Sequence, residues 1–362
     1  MQPKQLRRLF TLPLFAGMAV MTGQAVAADF YAGKTITIIT STGAGGSFDA
    51  AARSISRFMP NYLPGKPNMI VRNMPGGGHT RATNYMYNQA PKDGTTIATV
   101  GYTIPMHQVT SGRGVRYDAS KFNWLGTVGI SNLAMMVWHT AGVKSIADLK
   151  NKEVTTGATG TGSATYLYAN ALNRVLGTKY KIITGYRKSV DIDIAMERGE
   201  VAGRGGQGWT SVPADHPDWI KEKKIIVLAQ VGRNRLPELK DVPLLQELTD
   251  DKDKKEILRF ISLPVGVGRG FLAPPGVPTD RVALLRSAFD KTMKDKGFIE
   301  ETNKLQLDIR YTPGEELAKI VDETVNAPKE LIAKVKDAII VPADELAREK
   351  ERRQNRAKKK KE

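Results

Sequence analysis

Cysteine is absent from this 362-residue chain. That excludes a disulfide frame, a thiol nucleophile and a thiolate metal site. Histidine is scarce: His79, His107, His139 and His216 are all there are. They show neither the HExxH pattern nor paired-ligand spacing, so no metal site is expected. No serine sits in a G-x-S-x-G elbow, which disfavours a hydrolase. The glycine-rich segments lack the lysine of a GxxxxGK[ST] phosphate loop, and no cofactor is expected. Tandem repeats are missing, and no apolar run is long enough to span a bilayer. Acidic residues are outnumbered, 37 against 54 basic, for a net charge of +17.

That charge is uneven. Residues 1–27 hold Lys4, Arg7 and Arg8 and no acid, the segment 348–362 carries +6, and the body between them is left with +8. A mildly basic body suits an anionic ligand. The segment 346–362 reads as a solvated, basic tail beyond the last helix. It has no interleaved aromatics, so it does not read as a nucleic-acid site. At the other end, Lys4, Arg7 and Arg8 precede an apolar run over 9–20 and the A-x-A sequence Ala25-Val26-Ala27. This order is that of a cleaved secretory signal over 1–27.

The strongest pattern is a strand, a glycine loop and a helix, occurring once in each half. The first is Thr35–Thr40, then Ser41-Thr42-Gly43-Ala44-Gly45-Gly46-Ser47, then a helix from about Phe48. The second is a strand over 153–156, then Gly157-Ala158-Thr159-Gly160-Thr161-Gly162-Ser163, then a helix from about Ala164. Each loop ends in serine, a favoured N-cap. Helix N-termini offer unpaired N–H groups and partial positive charge. Two of them facing one cleft would clamp a carboxylate or phosphate.

Elsewhere strands and helices alternate, which predicts an α/β fold with largely parallel sheets. Strands over 124–128 and 133–138 follow each other without a long helix, and a first crossing between lobes is placed there. The charged stretch 250–256 marks the return, with a strand over 265–272 and helices over 281–291, 295–303 and 315–338 after it. The expected division is lobe 1 over 28–130 and 256–345, and lobe 2 over 131–255. The third strand delivers Tyr102 and Thr103 at its end. Tyr166, Tyr186 and Trp209 are further aromatic candidates for a cleft. Asp49 opens the first helix, where it either complements the dipole or touches a ligand. Arg204 is read as following a strand over 201–203 and preceding two glycines. It is either a surface arginine or a fork for a carboxylate at a strand end.

Taken in order, these segments resemble the Bug (TctC) family of solute receptors. STGAGGSFDAAAR resembles the family's first binding loop, and NMPGGGHTRATNYMYNQAPKDGTTIATV its N-x-P-G-x-G segment and P-x-D-G-T turn. TGATGTGSATYLYANALN resembles the second loop, and RGEVAGR the G-x-V-D-G region with Ala202 in place of the aspartate. FLAPPGVP and YTPGEELAKIV complete the series. The resemblance covers about residues 29–340. It implies a two-lobed periplasmic binding protein fold, type II-like, with the ligand cleft between the lobes. It also implies a monomeric, non-enzymatic receptor that holds a small organic carboxylate and passes it to membrane transporter subunits. The expected ligand contacts are Ser41, Thr42, Gly45, Gly46, Ser47 and Asp49, then Thr159, Gly160, Thr161, Gly162 and Ser163, with Tyr102, Thr103 and Arg204 added from position. A periplasmic sensing subunit for a membrane kinase is the alternative of a different class.

Overall fold

In the computed structural model, residues 30–348 and 351 are described, apart from 78, 111–113, 130, 131, 162, 187, 188, 308 and 345. The signal segment, Gly162 and most of the basic tail lie outside the described residues.

The chain begins with β1 (Thr35–Thr40), whose alternate Ile residues are buried. It continues through α1 (Ser47–Phe58), β2 (Asn68–Asn73), α2 (Thr80–Asn88), β3 (Thr96–Gly101), α3 (Ile104–Thr110) and β4 (Asn123–Val128). It then enters a second sheet with β5 (Leu133–Trp138), β6 (Val154–Ala158), α4 (Ala164–Leu176), β7 (Tyr180–Thr184), α5 (Ser189–Glu197) and β8 (Gly203–Gly208). Short helices α6 (Ser211–Asp215) and α7 (Pro217–Lys221) lead to β9 (Ile225–Val231), and α8 (Lys252–Ser262) carries the chain back to β10 (Arg269–Ala273). The end is α9 (Thr279–Thr292), α10 (Lys296–Lys304), β11 (Thr312–Pro313), α11 (Gly314–Val325) and α12 (Lys329–Ile339).

The first sheet has the order β11-β4-β10-β3-β1-β2 and the second β7-β6-β8-β5-β9. The fold is α/β, but the sheets are mixed rather than largely parallel. Pairs β1–β2, β1–β3, β6–β7 and β6–β8 run parallel; β10 is antiparallel to β3 and β4, and β5 to β8 and β9. The reason lies in the crossings. A strand that arrives from the other sheet enters without a βαβ crossover, so nothing imposes parallel pairing on it.

Each sheet is covered on both faces. Ile36, Ile38, Phe271 and Phe289 lie in one core of the first sheet and Val100, Trp124 and Leu272 in the other. In the second sheet, Met135, Leu172 and Leu228 face one core and Met136, Ile192 and Trp219 the opposite one. Helices α8 and α12 join the second-sheet core through Leu258, Ile261, Leu331 and Val335. Two sequence readings change here. The strand expected over 265–272 is a 3-10 turn over Leu263–Val267 followed by β10. The helical stretch over 315–338 is broken at Pro328, which precedes α12.

Candidate functional site

The ends of β1 and β3, the start of β10 and the second-sheet segment 190–216 enclose a cleft of about 1060 Å³. That is ample for a small organic molecule. In the first sheet the cleft sits at the carboxyl ends of parallel strands β1 and β3, where open α/β sheets bind ligands.

The first loop reaches the cleft through Gly45, Gly46 and Ser47. Here the capping expectation is corrected: Ser47 is the first helical residue, and the N-cap is Gly46, which has no side chain to accept a bond. Asp49 does the bracing instead. Its Oδ2 accepts from Gly45 N–H at 3.0 Å and from Arg53 Nε at 2.9 Å, and its Oδ1 from Arg53 Nη2 at 3.1 Å and Asn73 Nδ2 at 2.8 Å. Asp49 is 3% exposed, so its carboxylate shapes the loop from behind. The Arg53 hydrogen bonds, aided by Gly45 and Asn73, outweigh burial and lower its pKa to about 2. The first-turn N–H groups of α1 have no partner four residues back and lie where the helix dipole is positive.

Ser41 and Thr42 are behind the same loop. Ser41 is buried, with its Oγ 2.9 Å from His79 Nδ1. The Thr42 carbonyl accepts from Asn73 Nδ2 at 3.0 Å. His79 holds a left-handed backbone (φ 79°) as the N-cap of α2, and burial lowers its pKa. Tyr102 lines the cleft, and burial pushes its pKa up to about 12, so it remains a neutral phenol. Thr103 is exposed at the start of α3, its carbonyl taken by His107 N–H at 2.8 Å.

The second loop is compact. Ser163 is the N-cap of α4 as expected: its Oγ accepts from Tyr166 N–H at 3.3 Å and donates to the Gly160 carbonyl at 2.7 Å. Thr159 N–H donates to Thr165 Oγ1 at 3.3 Å. Thr159, Gly160, Thr161 and Ser163 are not part of the cleft lining; Gly206 is, and it packs on the first turn of α4. A Cβ on Gly206, whose φ is +70°, would lie 2.9 Å from the Ala164 carbonyl oxygen. The glycine therefore brings the start of α4 up behind the cleft wall. Gly206→Ala is expected to destabilise by about 2 kcal/mol or more. Thermal unfolding checks this; an unchanged midpoint would show that α4 yields freely.

Arg204 needs a correction. It is the second residue of β8, not the residue after a strand, and it is 3% exposed. Its Nη1 donates to Asp193 Oδ1 on α5. Burial pulls the guanidinium pKa down, and Asp193 opposes that. The pair still lines the cleft. Sequence reasoning missed Asp193, Gln207, Ser211, His216 and Arg269 on the same cleft. Arg269 had a readable signal: it is the one charge in the apolar run 263–273. In the fold it is 8% exposed and donates to the Gly129 carbonyl. Asp193 had none, because its partner lies across a helix, a turn and a strand. Of the aromatic candidates, Tyr166 and Trp209 are buried at 4% and 8% exposure and do not line the cleft, and neither does the half-buried Tyr186.

Two α/β bodies sharing a polar cleft, with a helix start on one wall, are the architecture of a solute-binding protein. The tripartite tricarboxylate transporter family receptor model matches residues 52–336. The chain belongs to that family of receptors. A search of curated protein sequences returns no match. Among solved structures, a TctC solute-binding protein from Polaromonas is 21% identical, covering 83% of this chain and 98% of that one, with a TM-score of 0.65. The periplasmic binding protein BugD is 21% identical over 83% of this chain and 97% of its own, TM-score 0.59. MatC from Rhodopseudomonas palustris, solved with bound malate, is 21% identical over 83% and 99%, TM-score 0.58. These likenesses share the two-lobed fold. No helix among the described residues is long and apolar enough to cross a membrane.

Proposed function

We propose that this receptor works in the periplasm as a monomer, captures a small organic carboxylate in the cleft and presents it to the membrane subunits of a tripartite tricarboxylate transporter. The observation that carries this is the start of α1, where Gly46 and Ser47 stand on the cleft wall with the positive end of the helix behind them. Family membership and the malate in MatC point the same way. Tyr102 and Arg269 add a phenol and a positive charge on the first-sheet side. The second loop contributes through the dipole of α4 behind Gly206. The division is lobe 1 over 28–130 and 256–345 and lobe 2 over 131–255, with α8 and α12 bridging onto the second core. Residues 1–27 are removed on export, and the mass of the mature protein, starting near Ala28, checks that step.

Binding moves the two lobes together and involves no covalent chemistry. A thermal-shift screen of organic acids identifies the ligand class, because occupancy at a hundred times Kd stabilises by about 2.7 kcal/mol. Calorimetry of the best acid against its amide then tests the helix-start site. The acid is expected to bind and the amide not, since an amide cannot satisfy several N–H donors as a carboxylate does. Equal affinities would sink the reading.

A further inference from the structure

The second-sheet wall of the cleft is rich in hydrogen-bond acceptors. Asp193, Asp215 and Gln207 line it together with Arg204, Ser211 and His216. Arg204 is already engaged by Asp193 Oδ1, and the other oxygen of Asp193 lies 3.4 Å from His216 Nε2. The His216 ring is itself fixed, stacked on Trp219 with centroids 4.0 Å apart. Asp215 is exposed on the same wall. One carboxylate thus pairs with the guanidinium and another stands on the same wall, so a second carboxylate on the ligand would meet like charge there.

Gln207 adds an independent observation. It is 6% exposed, and its Oε1 is buried with no hydrogen-bond partner among the described residues. The orientation of its amide follows from its neighbour. Ser211 Oγ donates its proton to the Gly208 carbonyl at 2.9 Å, so toward Gln207 it can only accept, and Gln207 Nε2 lies 3.4 Å from it. The nitrogen of the amide is therefore committed to Ser211, and the orphan is an acceptor. Buried acceptors without partners are rare and call for a donor.

We propose that this wall is a donor-reading subsite, with Asp193 masking Arg204 and Gln207 Oε1 accepting from the ligand. The ligand is then a carboxylate whose far end carries a hydroxyl or ammonium group instead of a second carboxylate. This rests on the carboxylate site at the start of α1. Asp193 acts through Arg204 and is a positioning residue for selectivity.

The test is calorimetry on the full mature protein with probes matched in length, from three to six carbons. At each length an α,ω-dicarboxylate is compared with the ω-hydroxy and ω-amino monocarboxylates. At the length that spans the cleft, the hydroxy or amino acid is expected to bind at least tenfold tighter than the dicarboxylate. Asp193→Asn, which keeps an acceptor for the guanidinium but removes the charge, is expected to raise dicarboxylate affinity at least tenfold. Gln207→Leu is expected to remove the hydroxy-acid advantage while leaving the dicarboxylate unchanged. A wild-type preference for dicarboxylates, or an Asp193→Asn protein that folds and keeps the original order, overturns the proposal. Equal binding of all three probes overturns this subsite and leaves the carboxylate site standing. Absence of any binding overturns both.

Discussion

Arg204→Ala is expected to destabilise the protein by about 3–5 kcal/mol, the loss typical when one partner of a buried ion pair is removed. Arg204 and Asp193 are each 3% exposed and paired to one another. Truncating the arginine leaves a carboxylate buried beside His216, and water reaches it poorly. The pair also ties α5 to β8, so the loss propagates into the core that contains Ile192 and Met136. Urea unfolding at neutral pH measures the effect. Two comparisons separate the causes. Asp193→Asn is expected to cost less, because the amide oxygen still accepts from the guanidinium. The double replacement Asp193→Leu with Arg204→Met is expected to recover most of the loss, since it leaves no charge behind. A loss below about 1 kcal/mol for Arg204→Ala would place the pair among solvated ones.

Asp49→Ala is expected to cost about 2–3 kcal/mol at pH 7 and to weaken carboxylate binding at least tenfold. Four hydrogen bonds converge on this carboxylate, and one of them comes from Gly45 in the first loop. Removing it breaks the charge-assisted bonds from Gly45 and Asn73 and frees the loop that presents Gly46 and Ser47. The pH dependence follows from the lowered pKa. The drop from 3.8 to about 2 means that the unfolded chain takes up a proton more readily than the native one. The contribution is fully present above about pH 4 and is lost as pH falls through about 2. Its size is about 2 kcal/mol. Urea unfolding at a series of pH values should therefore show the gap between wild type and Asp49→Ala closing toward pH 2. A gap that persists there would mean that packing, not the ionised carboxylate, sets the stability.

Much of the fold is legible in local pattern. Thr35–Thr40 reads as a strand because β-branched residues run through it, and α1 and α4 read as helices because apolar residues recur at helical spacing after a glycine loop. The Ser163 cap is legible for the same reason, since a cap bond spans only three residues. The matching inference at Ser47 failed on a single shift of register. The acid at Asp49 reaches back to Gly45, which starts the helix at Ser47 and moves the cap to a glycine.

The sequence by itself determined the class of the protein: an α/β receptor with two glycine loops at helix starts, and, with no cysteine, no thiol chemistry. Those features depend on residue types and on spacings of a few positions, which the linear order carries. Only the tertiary structure decided the antiparallel entry of β5 and β10, the packing of α8 and α12 onto the second core, and the character of the cleft wall. Arg204 could be read from the sequence as a surface residue or as a fork for a carboxylate, and only the fold set Asp193 against it, eleven residues away on a different element. Partners at such separations are chosen by how helices and strands pack, and no local period in the chain records that choice.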